Sequence, residues 1–182
     1  QNSYTQKKEY GYNGAVKKVT TYMVNVIHYN VPNDTLNYFG KSIMIFNKKG
    51  DVITYDRFYS LPNYEYKSKS TFAGSGKNIS YKEVSKLNEA AEVINAYKFV
   101  WTGDLNYKID PISEKDSTSR YITLNQDFTV DKVVFKAINY ESEEKASYHY
   151  NNENRLKKVV YKVTSTENNV STMKDDVRII KS

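Results

Sequence analysis

At 182 residues with no cysteine, the chain is long enough to bury the core of a single domain over 1–182, and it must do so without disulfides, thiolate metal ligands or a cysteine nucleophile. Aromatic residues make up 14% of it, with 18 Tyr, which excludes the aromatic-poor profile of a disordered chain, and no apolar run approaches the roughly 18 residues of a spanning helix. The net charge of +6 comes from 27 basic against 21 acidic side chains. It is spread through the doublets Lys7-Lys8, Lys17-Lys18, Lys48-Lys49 and Lys157-Lys158, and with little arginine it reads as solubilising strand faces and edges, with no nucleic acid as partner.

Tyr, Thr and Val favour half-buried pleated strands, and the 19 Asn are the residues turns tolerate best. Taken in chain order, six segments share one pattern. The first, at residues 10–19, carries Tyr10, Gly14, Val16 and Val19, with apolar residues at positions one, seven and ten and a turn residue at five. A Pro/Asn/Asp loop insertion follows at residues 31–37. The second copy has Phe46, Gly50, Val52 and Tyr55; two weaker ones have Phe72, Gly76 and Tyr81, then Phe99, Gly103 and Leu105. The fifth has Leu124, Val130 and Val133 with Phe128 at position five, and the sixth has Tyr150, Asn154, Leu156 and Val159. The starts at 46, 72, 99, 124 and 150 differ by 26, 27, 25 and 26 residues.

A unit of about 26 residues holds two strands and two turns, so the chain reads as all-β: an antiparallel meander of about six hairpin repeats, either a curved open sheet or an up-and-down barrel. Tight turns are expected at 13–14, 48–50, 74–76, 102–104, 126–128 and 152–154. Second turns, on the opposite edge, are expected at 60–63, 110–118, 141–144 and 165–169. One segment has two readings. Val84, Leu87, Ala91 and Ile94 roughly follow helical spacing and allow a short helix over 86–97, whereas a turn near 86–89 followed by a strand from 91 keeps the repeat in phase.

The sixth copy, Tyr150-Asn-Asn-Glu-Asn154-Arg155-Leu156, resembles the YD (RHS-type) repeat of bacterial exported proteins, and the Tyr/Gly-punctuated turns are also similar to MORN-like hairpin repeats. These resemblances imply a continuous twisted sheet of hairpins, and they carry over no catalytic residues. The chain opens on Gln1 rather than Met, from which the expectation is an exported protein, periplasmic or on a bacterial cell surface, with its signal peptide removed.

No nucleotide loop, nucleophile elbow or metal-ligand spacing occurs, so no cofactor and no metal is expected. His28 and His149 sit in Tyr-rich strand contexts without partners at ligand spacing, and the acidic run Glu141, Glu143, Glu144 reads as a solvated turn. Aromatics are the raw material for recognition: Tyr55, Tyr59, Tyr64, Tyr66 and the sole Trp101 are the candidate ligand-binding residues, since Tyr and Trp supply large contact area with one polar tip. The expected function is a non-catalytic binding or scaffold module for a partner protein or glycan. The alternatives are a barrel carrying a small apolar ligand and a hydrolase whose carboxylates the fold brings together.

Overall fold

The computed structural model describes residues 3–24, 38–112 and 118–180, and the strands among them form one antiparallel sheet. A single helical turn, α1 (Gln6–Glu9), precedes β1 (Lys18–Met23), β2 (Gly40–Phe46), β3 (Val52–Leu61), β4 (Tyr64–Ser75), β5 (Asn78–Leu87), β6 (Val93–Trp101), β7 (Asn106–Pro111), β8 (Ser119–Leu124), β9 (Val130–Ala137), β10 (Tyr140–Tyr150), β11 (Leu156–Glu167) and β12 (Val170–Ile179). Each strand pairs with its sequence neighbours, and β1 and β12 are edges. Of the two closures open to the sequence, the curved open sheet is the one found. Short connections leave each strand its predecessor as the nearest partner, which is what makes a meander.

Five of the expected tight turns close one end of the sheet, at residues 47–51, 76–77, 102–105, 125–129 and 151–155. In the three strongest copies the turn has one construction. Asn47, Asn125 and Asn151 stand at position two, and each accepts on its carbonyl the N–H of position five, at 3.1, 2.9 and 2.9 Å. The Asn47 and Asn151 side-chain oxygens also accept N–H groups two and four residues on, the local bonding that makes Asn a turn former. The pairing register then slips beside Phe46, Leu124 and Tyr150 alike. Position five holds a left-handed backbone even at Phe128, with φ +69°, a conformation that disfavours a side chain by roughly 1–2 kcal/mol. The ring packs edge-on against Tyr4 at 6.0 Å, which offsets that strain.

Gly74 shows the backbone requirement most sharply. Its φ is +93°, and a β-carbon there would lie 2.0 Å from the Asn78 carbonyl oxygen. Gly74→Ala is expected to destabilise the fold by about 2 kcal/mol or more, since both strain and a backbone clash must be relieved. Gly76→Ala, with nothing within 4 Å, should lower the midpoint of a urea titration less; equal midpoints for the two variants would refute the argument.

Three sequence expectations need correction. Residues 86–97 form no helix: β5 runs to Leu87, Asn88 turns with φ +49°, and β6 starts at Val93, because hydrogen bonding to β5 outweighs a weak helical spacing. The second turn between β9 and β10 lies at Ile138-Asn139, where Asn139 has φ +61°, and Glu141, Glu143 and Glu144 are strand residues; Glu141 pairs with Lys136 and Glu143 with Lys132 across the hairpin. The first copy is no hairpin. Gly14 does take a left-handed φ of +75° and leads into β1, but the residues before it form α1 and a turn at residues 10–11. The insertion at 31–37 and His28 lie outside the described residues.

The sheet curls around this N-terminal segment. The repeat's apolar positions face inward at the tight-turn end, and the cluster of Phe46, Met44, Val52, Ala146, Leu156 and Val159 joins β2 and β3 to β10 and β11 through Tyr12. A second cluster, Ile79, Tyr107, Ile122 and Leu124, gathers around Tyr4. Hydrogen bonds seat the segment on strands far apart in sequence: Val52 N–H to Gln6 Oε1 at 2.8 Å, Lys7 N–H to the Gly50 carbonyl at 2.8 Å, and Asn13 Nδ2 to the Asn154 carbonyl at 3.1 Å. Glu9 is buried between Tyr4 and Tyr107, whose hydroxyls donate to its carboxylate. Burial pushes its pKa from 4.5 up to about 7, against the opposing effect of these two donors.

Candidate functional site

The inner face divides along the strands. Its tight-turn half is filled by apolar side chains and the N-terminal segment, whereas the other half carries the small buried Ser42, Ser68, Ser70 and Ser142 and stays polar. Strand alternation explains the placement: Tyr55, Arg57 and Tyr59 are i, i+2, i+4 on β3 and so point the same way, opposite Met44, Ser42 and Gly40 of β2. On β4 the facing row is Ser70, Ser68 and Tyr66.

Arg57 is the centre of this half. Its Nε donates to Ser68 Oγ at 3.0 Å and its guanidinium pairs with Glu83, which also accepts from Ser70 Oγ at 3.1 Å. The guanidinium lies 5.5 and 5.8 Å from the rings of Tyr55 and Tyr66. Burial works against its charge, but Glu83 and the surrounding tyrosine hydroxyls outweigh this and hold its pKa above the usual arginine value. Beyond Glu83, the rings of Phe72, Tyr81 and Tyr97 stack across β4, β5 and β6 at 4.8 and 4.9 Å. Arg57, Glu83, Tyr81, Tyr97, Arg120 and Phe135 line a cleft of about 100 Å³.

Two further arginines stand on the same face. Arg120 of β8 lies 5.8 Å over Phe135, and Arg178 of β12 lies 5.2 Å over Tyr161 in a smaller cleft of about 40 Å³ with Tyr12, Thr21, Ser42 and Tyr55. Among the described residues neither forms an ion pair with a carboxylate. Desolvation lowers the Arg178 pKa and the hydroxyls of Tyr161, Tyr12, Tyr55 and Tyr10 raise it, with a net rise. Tyr55 thus sits between the two clefts.

Of the five aromatic candidates, Tyr55, Tyr59 and Tyr66 come together around Arg57, with Tyr59 and Tyr66 at 5.9 Å, and Tyr64 lies exposed at the adjoining rim. Trp101 belongs elsewhere: it packs edge-on against Tyr4 at 4.8 Å beside Tyr107, in the core. The arginines and the Tyr81–Tyr97 stack escaped the sequence reading. Their signal was present, since only four Arg occur among 27 basic residues and three of them alternate in phase with inward-facing strand residues. His149 is exposed on β10, and among the described residues no three His, Cys, Asp or Glu are grouped to hold a metal.

Fold and site together define an open, single-sheet β-meander filled at one end by its own N-terminal segment, with Arg57 and Arg120 among aromatic rings farther along its inner face and Arg178 beside the N-terminal segment's Tyr12. No family model, curated protein or solved structure matches the chain.

Proposed function

We propose that the chain is a non-catalytic binding module whose polar inner face takes an acidic glycan. The observation that carries this is the pair Arg120 and Arg178: two guanidiniums set among aromatic rings, on one face, without a carboxylate partner among the described residues. Guanidinium forks match carboxylates bidentately, and tyrosine rings present apolar faces to sugar rings with hydroxyls at their tips. The clefts are small beside the roughly 300 Å³ or more of an enclosing small-molecule pocket, which favours a ligand lying along the face over an apolar one carried inside. An exported, envelope-associated setting belongs to the same proposal and rests on the resemblance to YD-type repeats.

Isothermal titration with oligogalacturonate and with a neutral malto-oligosaccharide tests the reading. Binding of the acidic sugar alone is expected, weakened about tenfold or more by Arg120→Ala or Arg178→Ala, in line with the loss of one charge-assisted hydrogen bond. Equal binding of the neutral sugar, or unchanged affinity in both variants, would sink it.

A further inference from the structure

The lysine doublets, dispersed in sequence, are gathered by the fold onto one end of the molecule. Lys48 and Lys49 lie in the 47–51 turn. Lys17 accepts the Phe46 N–H on its carbonyl, and Lys18 is paired with Ile45, so this doublet lies beside that turn. Lys7 donates its N–H to Gly50, placing the α1 doublet against it. Lys157 and Lys158 follow the 151–155 turn, which Asn13 ties to the N-terminal segment. Lys17, Lys18, Lys48 and Lys49 are exposed, and no ion pair engages them among the described residues. Glu9 and Asp51, the carboxylates nearest in the chain to these four, are buried, and the exposed acids of the tight turns are Asp104, Asp127 and Glu153, of which Asp104 pairs with Lys77 and Glu153 with Arg155.

The opposite end has another character. Glu65, Glu89, Glu92, Glu141 and Glu167 flank its turns, Glu65 paired with Lys67 and Glu141 with Lys136, and among the described residues Leu61, Val93, Ile112, Ile138 and Val170 are exposed aliphatic side chains there. The two ends therefore differ in character: lysines outnumber the exposed acids Asp104, Asp127 and Glu153 at the tight turns, whereas the other end mixes glutamates and lysines around apolar tips.

We propose that the lysine-rich end docks on an anionic phospholipid surface, leaving the far rim of the sheet, with Tyr64 and the turns around it, directed away. Exposed lysines act as point charges that attract a diffuse sheet of phosphates without needing a shaped groove. A nucleic acid fits less well, because base and backbone readers use arginine forks and stacking rings. Arg155 at this end is engaged by Glu153, and Tyr10 and Tyr12 are packed into the core. This attraction is independent of the glycan reading.

Sedimentation of the full chain with phosphatidylglycerol-containing vesicles and with pure phosphatidylcholine vesicles tests the proposal. Binding to the anionic vesicles alone at low salt is expected, lost by about 0.5 M salt as screening shortens to a few ångströms. The reversal variant K17E/K18E/K48E/K49E should lose at least a hundredfold in partitioning, given roughly fivefold per lysine near such a surface. The variant K69E/K82E/K98E/K145E makes the same charge change at exposed mid-strand positions of the outer face and should lose less than tenfold. The neutral set K17Q/K18Q/K48Q/K49Q gives a second reading with less perturbation of the fold, and circular dichroism confirms that each variant is folded. Binding to neutral vesicles as strongly, equal losses in the two reversal variants, no binding of wild type, or tighter binding to duplex DNA than to vesicles in the same buffer would each overturn it.

Discussion

A chain starting at residue 17 is expected to lose most or all of its cooperative unfolding transition. The deleted segment supplies Tyr4 and Tyr12, 6% and 8% exposed, at the hearts of the two core clusters. Truncating one large buried aromatic side chain commonly destabilises by about 3–5 kcal/mol, so losing two approaches the roughly 5–15 kcal/mol that holds a domain together. The deletion also strips the partners of Val52 N–H and of the Tyr107 hydroxyl, leaving polar groups inside an apolar half-sheet. Chemical denaturation followed by tryptophan emission reports the outcome directly, because Trp101 packs on Tyr4. A truncated protein with a midpoint and slope close to those of the full chain would show the segment to be an ornament on a self-sufficient sheet.

The second large effect is one of pH. Glu9 is buried, receives hydrogen bonds from Tyr4 and Tyr107, and has no basic side chain paired with it among the described residues. Burial also pushes the Tyr107 hydroxyl well above its ordinary range, so it stays a protonated donor. A carboxyl whose pKa rises from 4.5 unfolded to about 7 folded binds its proton more tightly in the folded state. Its contribution to stability is therefore complete below pH 4.5 and is lost as pH rises through 7, a difference of about 3 kcal/mol at 1.36 kcal/mol per pKa unit. Glu9→Gln keeps a neutral acceptor for Tyr107 and removes the titration. The variant is expected to exceed wild type by up to about 3 kcal/mol at pH 8 and to match it near pH 4. Urea unfolding at pH 4, 5, 6, 7 and 8 gives the difference curve, which cancels the other titrating groups. A flat difference, or a wild type favoured at pH 8, would contradict the burial argument.

Much of the fold was legible because its signals are local. A turn residue preceded by an aromatic or aliphatic and followed by an aliphatic at even spacing favours a tight turn locally, and five of the six expected turns fall at Gly50, Gly76, Gly103, Phe128 and Asn154, whereas the same pattern at Tyr10, Gly14 and Val16 makes no hairpin because the residues before it pack inside the sheet. Even Phe128, which breaks the composition rule, keeps the geometry, since Asn125 before it and the flanking strands impose the turn. The misplaced second turn at 141–144 has the converse cause. The run 141–144 has the polar composition of a turn, whereas it is Asn139 that takes the positive φ and Glu141 and Glu143 find lysine partners across a strand pair.

The candidate site was only partly legible. Tyr55, Tyr59 and Tyr66 were singled out as aromatics, but that they surround Arg57, and that Trp101 is core, depends on which strand face each side chain takes and on how far the sheet curls. The place of the N-terminal segment is illegible in the sequence for the same reason: its burial is decided by contacts with Gly50, Tyr107, Tyr148 and Asn154, separated from it by up to 141 residues. The sequence by itself determined the strand period, the turns and the meander, which are set by backbone conformations and nearest-neighbour pairing. Only the tertiary structure decided that the sheet stays open, that its own first residues fill it, that four lysine doublets gather at one end, and that three arginines share its inner face. Those are long-range juxtapositions, and they follow from curvature, which no local stretch of residues encodes.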